Sequence, residues 1–177
     1  MRHGREGSAL GLFDRLFGDR TSEAQLLYNA AVAKGREPHW YVEGAVPDTV
    51  DGRFDMITAI VAVIMLRLED DPDGAAPNAR LAECFVADMD GQMRELGIGD
   101  VVVGKKIGRL MSLLGGRLGA YRDGLAGGSL DEALVRNLYR GVAPGNEAVV
   151  HVAKRLAALR ADLDQVTIPA LLEGRLP

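Results

Sequence analysis

The chain has 177 residues, 47% of them apolar and 26% charged, the balance of one globular domain with material for a sizeable core. That balance excludes a disordered or collagen-like chain, and 21 basic against 25 acidic residues (net −4) argue against a general nucleic-acid binder. The single cysteine, Cys84, excludes an internal disulfide and a cysteine zinc cluster, and it fits a reducing compartment.

The helical period dominates from the N-terminus onward. Leu10, Phe13, Leu16 and Phe17 share one face of a short amphipathic helix ending near Gly18. Residues 1–20 are therefore read as a separate N-terminal amphipathic segment ahead of a helical domain over 21–177. Thr21 or Ser22 can cap a second helix running to about Lys34, with Leu26, Leu27, Ala30 and Ala31 inward. Gly35 to Gly52 is irregular, broken by Pro38, Gly44 and Pro47, and holds the aromatic knot His39-Trp40-Tyr41. Phe54 to Leu68 is apolar on nearly all sides, which predicts a helix buried at the centre of the domain. Its apolar run, Met56 to Leu66, is about half of the roughly 20 residues a membrane span needs.

Beyond a linker, Asn78 is the expected N-cap of a helix with Ala82, Phe85, Val86, Met89, Met93 and Leu96 in 3-and-4 spacing. Gly97 and Gly99 stop that helix, and Asp100 can cap the next, about Val101 to Leu125. Ser129 and Glu132 form a capping box for a helix to about Arg140. Asn146 to Leu163 carries Val149, Val152, Ala153, Leu156 and Leu163 on one stripe, and a short turn follows Pro169. With no strand-like alternation, the expectation is all-α: a single compact domain of about six to eight helices around a central apolar helix. Glu6 and Asp14 interrupt any leader pattern, so the expected location is cytoplasmic, with a peripheral contact at the inner membrane left open.

The catalytic patterns dissolve on inspection. Gly99 to Lys106 (GDVVVGKK) approaches a phosphate loop, but a helix precedes it, valines fill it, and Lys106 stands where magnesium needs a hydroxyl. His3, His39 and His151 are far apart in sequence, with no acid or cysteine at ligand spacing. Asp48, Asp51 and Asp55 lack calcium-loop spacing and fit a turn leading into a helix N-terminus, where carboxylates are favoured. No serine has a nearby base, and neither has Cys84. The sequence predicts no enzyme, no catalytic residue, no metal site and no cofactor.

An interaction surface is what remains. On a helical wheel, Val103, Ile107, Leu110, Leu114, Leu118, Tyr121 and Leu125 form an apolar stripe. Lys105, Lys106, Arg109 and Arg117 gather on an adjacent arc without an acid, and Gly108, Gly115 and Gly119 form a third strip open to close helix approach. The arc reads either as a solvated face or as a partner surface.

Three ordered segments carry a family resemblance. Val46 to Met56 (VPDTVDGRFDM), Asp88 to Leu110 (DMDGQMRELGIGDVVVGKKIGRL) and Gly116 to Tyr121 (GRLGAY) resemble the signature of the ubiquinol–cytochrome c chaperone family. The resemblance covers about Leu26 to Tyr139. The sequence departs from the family pattern at Thr58-Ala59-Ile60, where a histidine is common, and at Leu114-Gly115, where an aromatic pair is common. The resemblance implies an assembly chaperone that binds newly made cytochrome b and supports the respiratory ubiquinol–cytochrome c reductase, complex III, in a bacterial chain. A ribosome or a second assembly factor is the further partner it implies; no specific nucleic-acid sequence is expected. Partner-binding candidates are Lys105, Lys106, Arg109 and Arg117, the turn residues Asp48, Asp51 and Arg53, and Trp40 and Tyr41, which either line a client groove or seal a core edge. The alternative function is a ribosome- or nucleic-acid-associated module using the basic face around Lys105 to Arg109, whose binding would weaken steeply with salt.

Overall fold

A computed structural model of the chain describes the backbone of residues 23–95 and 100–177 and the side chains of residues 23–89 and 108–177. Among the described residues every regular element is helical. The first, α1 (residues 23–35), is followed by α2 (His39–Val42), α3 (Val50–Glu69) and α4 (Ala75–Glu95). Then come α5 (Asp100–Leu125), α6 (Leu130–Asn137), α7 (Asn146–Leu163) and α8 (Ile168–Leu172). The expected Leu10–Phe17 helix, the Thr21 or Ser22 cap and the Gly97 and Gly99 stop lie outside the described residues.

The central helix is α3. Its residues from Asp55 to Leu66 are all buried, as the all-round apolar run predicts, and α4, α5 and α7 pack around it. It begins at Val50 rather than Phe54, because the Thr49 hydroxyl accepts a hydrogen bond from the Gly52 backbone N–H (3.1 Å) and caps the helix in the polar turn. Gly52 is required there: a Cβ would sit 1.9 Å from the Pro47 carbonyl oxygen. Thr58 is fully buried and donates its hydroxyl to the Phe54 carbonyl (2.7 Å).

The start of α4 corrects the sequence expectation. Asn78 does not cap this helix but lies inside its first turn, with its backbone N–H on the Gly74 carbonyl (2.9 Å). Pro77 permits the earlier start, since a proline in the first turn removes only an N–H that has no helical partner. By contrast, α7 runs from Asn146 to Leu163 as expected, and Leu159 joins its buried stripe. Ser129 caps α6 by accepting from the Glu132 N–H (3.2 Å), although α6 ends at Asn137 rather than near Arg140.

The segment expected to be irregular, Gly35 to Gly52, contains the single-turn α2. Its aromatic side chains close the end of α1: Trp40 Nε1 donates to the Lys34 carbonyl (2.8 Å) and the Tyr41 hydroxyl to the Gly35 carbonyl (2.7 Å). Both carbonyls belong to the last turn of α1, where no intrahelical donor is available.

Candidate functional site

The first and third signature segments meet in space. Asp55, at the head of α3, is completely buried, and its carboxylate receives Arg117 Nη2 from α5 (2.6 Å) and Arg140 Nε from the turn after α6 (2.7 Å). Arg140 also donates Nη1 to Asp51 (2.7 Å), one turn earlier on α3. Arg117 packs its guanidinium over the Phe54 ring, 5.6 Å from the centroid. A buried carboxylate without its cations would be strongly unfavourable, so this hub fixes α3, α5 and the end of α6 together. The Asp55 carboxylate also holds the Arg140 guanidinium more firmly protonated than an isolated arginine. Arg140 adopts a positive φ of 53°, and Gly141 follows at 87°, a reversal that brings the guanidinium back over α3.

The hub corrects the basic arc. Arg117 is not on a solvated face with Lys105, Lys106 and Arg109; only 8% of it is exposed, and it belongs to the core ion pair. Arg109 is exposed as expected, while the side chains of Lys105 and Lys106 lie outside the described residues. The backbone from Asp100 through Lys106 is helical, so the GDVVVGKK segment forms no phosphate loop there. Of the acidic turn, Asp51 serves Arg140, whereas Asp48 pairs with Arg53 at the surface (2.6 Å), which holds its carboxyl below the usual carboxylate range. Trp40 is 1% exposed and Tyr41 is half-buried with its hydroxyl bound, so the two seal a core edge rather than line an open groove. Sequence reasoning missed Asp55 and Arg140 as partners. The available signal was an aspartate heading an otherwise apolar helix, and an arginine followed directly by a glycine at a helix end.

The surface offers two clefts beside α6. One, of about 470 Å³, opens between α6 and α7 and is lined by Val135, Ala143 and Val149, with Arg136, Asp131 and Glu132 among its polar residues. The other, of about 390 Å³, lies between α5 and α6 and contains Arg117, Arg136 and Arg140. Val42, Val50 and Val142 are 75–77% exposed. Cys84 is buried, and burial pushes its thiol up, so it has the character of a packing residue rather than a nucleophile. Among the described residues no group of three or more His, Cys, Asp or Glu side chains is placed to hold a metal, and no helix is long and apolar enough to cross a membrane.

The fold and its hub define an all-helical domain whose central apolar helix is tied at its head, through one buried carboxylate, to two arginines from other elements. The chain belongs to the ubiquinol–cytochrome c chaperone family, whose sequence pattern matches residues 43–176. That match takes in α7 and α8, beyond the limit near Tyr139 to which the resemblance extends. The crystal structure of the Cbp3 homolog from Brucella abortus is similar, with a TM-score of 0.79, 29% sequence identity and 94% of each chain covered. No curated protein matches the chain.

Proposed function

We propose that this protein is a non-catalytic assembly chaperone that binds newly made cytochrome b and supports assembly of the ubiquinol–cytochrome c reductase complex. The observation that carries the reading is the family match, which runs from the turn before α3 almost to the C-terminus. The likeness to a Cbp3 homolog over 94% of both chains supports the same role. The surface is compatible with it physically: an apolar cleft and exposed valines suit apolar client segments, and exposed Arg109 next to Lys105 and Lys106 in sequence supplies charge for a ribosome, a second assembly factor or anionic headgroups at the inner membrane.

The test is affinity capture of the tagged, full-length chain from its own cells after a short pulse of labelled amino acid. Newly made cytochrome b should copurify, and it should stay bound when salt is raised, because apolar contacts are not screened as phosphate contacts are. Recovery of ribosomal RNA or ribosomal proteins alone, lost as salt rises, would replace the reading with a ribosome-associated module.

A further inference from the structure

His39 and His151, 112 positions apart in sequence, meet across the seam between α2 and α7. His39 Nδ1 stands 3.1 Å from His151 Nε2, and His39 Nε2 stands 3.0 Å from a Glu37 carboxylate oxygen. The two rings meet edge on, 5.3 Å between centroids, and His39 also packs on the Trp40 ring at 4.1 Å. Both histidines are half-buried, so protons from solvent reach them. The Asp55 hub does not involve this chain of three groups.

Their protons can be counted. The Glu37 carboxylate only accepts, so it holds the neutral His39 proton on Nε2 and leaves Nδ1 as an acceptor for the His151 Nε2–H. A first added proton leaves the contact intact. Taken up at His151 Nδ1, it keeps Nε2–H donating; taken up at His39 Nδ1, it reverses the bond while His151 carries its own proton on Nδ1. A second added proton has no such place, because both facing nitrogens then carry hydrogen and two like charges meet at hydrogen-bond distance. We propose that this pair is an acid-operated latch: α2 stays on α7 while the two imidazoles hold at most one positive charge, and the seam opens when both are charged. The open form binds the extra proton, so falling pH favours it.

The surrounding charges do not neutralise the second proton. On the α1 side, Lys34 engages the other Glu37 oxygen (3.1 Å), and Arg36 lies toward Tyr28 and Tyr41. Glu43 stands one turn beyond His39 on α2. On α7, Glu147 lies one turn before His151, but Lys154 and Arg155 lie one turn after it, a net positive charge. At the head of α3, Asp48 engages Arg53, while Asp51 and Asp55 engage Arg140. The α6 charges border the cleft at Val149, about 200° round α7 from His151.

The seam beneath the latch is apolar. Trp40 and Val152 are buried there, and Gly44 lies so close to Val152 that a Cβ would sit 2.6 Å from its side chain. Trp40 and Tyr41 bind carbonyls at the end of α1, so α2 stays with α1 when the seam opens. Opening therefore presents an apolar strip of α7. The latch goes beyond the chaperone reading and holds whichever client is bound.

Trp40 is the one tryptophan of the chain, so its fluorescence reads the seam. From about pH 8 to about pH 5, where histidine ordinarily takes up its proton, emission of the full-length protein should shift to longer wavelength. Acrylamide should quench it more strongly over that range, while the helical circular dichroism persists. His151→Gln should abolish both changes, since an amide offers His39 either an N–H or a carbonyl oxygen and takes no charge. Imidazole nitrogen-15 spectra of the wild-type protein add a readout free of mutation: the pair should gain its protons in two separate steps, with the emission following the second. Unchanged emission and acrylamide access over the range would overturn the proposal, and so would the same changes in His151→Gln. An emission shift that follows the first step, or one accompanied by loss of circular dichroism, would also overturn it.

Discussion

Asp55 shows how one side chain organises much of this molecule. It is fully buried, yet it accepts from two arginines that lie 62 and 85 positions away in sequence. Removing it as Asp55→Ala leaves Arg117 buried without its counter-charge, which should cost about 3–5 kcal/mol in a urea denaturation experiment. Arg140→Ala should cost distinctly less, because Arg140 is half exposed and water can take over part of its role. Equal losses for the two variants would contradict the assignment of the Asp55–Arg117 pair as the buried half of the hub. Arg117 also explains why the basic arc was misread. It stands seven residues after Leu110 and four before Tyr121, so on the wheel it falls within about 20° of the apolar stripe. The wheel gives an angle on one helix but not the identity of what packs against that angle, and Asp55 arrives from another helix. Without Arg117, the arc consists of Lys105, Lys106 and Arg109. Reversing those three to glutamate should leave the melting transition cooperative and little shifted while lowering cytochrome b in membranes, provided the reversed protein accumulates normally.

At the scale of elements, the apolar pattern identified α3 and α7, and the Ser129 capping box identified the start of α6. Local polar chemistry then moved the boundaries. Thr49 extends α3 backward, and the Gly74 turn with Pro77 lets α4 begin before Asn78. Such caps depend on backbone angles that residue type leaves open, since threonine, asparagine and aspartate all cap well. The knot at Trp40 and Tyr41 was legible as aromatic but not as a seal, because its hydrogen-bond acceptors are backbone carbonyls that carry no sequence signal. Ile60, in the middle of α3, is fully buried. Ile60→Asp should abolish cooperative folding, because an unpaired buried carboxylate costs several kcal/mol against a total stability of about 5–15 kcal/mol. A variant melting at the wild-type temperature would mean that this face of α3 is a surface, against the packing described.

For the molecule as a whole, the tyrosines report on packing. The chain has four, Tyr28, Tyr41, Tyr121 and Tyr139, and burial raises every one of them above the ordinary phenol value. Tyr28 is held up further by its hydrogen bond to Asp88, and Tyr139, which donates to the Gly44 carbonyl, is pushed up to about 12. A phenol whose folded-state pKa exceeds its unfolded value of about 10 gives stability that is complete below pH 10 and is lost as pH rises through the folded value. Ultraviolet titration of the native protein should therefore show little phenolate near pH 10, followed by a cooperative rise with unfolding at higher pH. A smooth titration centred at pH 10 would contradict the packing around all four rings.

The family places this helical domain in the assembly of the ubiquinol–cytochrome c reductase, and the deciding measurement is the cytochrome b content of membranes from cells lacking the chain. Reduced-minus-oxidised difference spectra should show cytochrome b of that complex depleted, restored by the wild-type chain and not by the Asp55→Ala variant, while cytochromes of other complexes remain. Membranes with a normal cytochrome b spectrum and full ubiquinol–cytochrome c reductase activity in the absence of the chain would contradict the account.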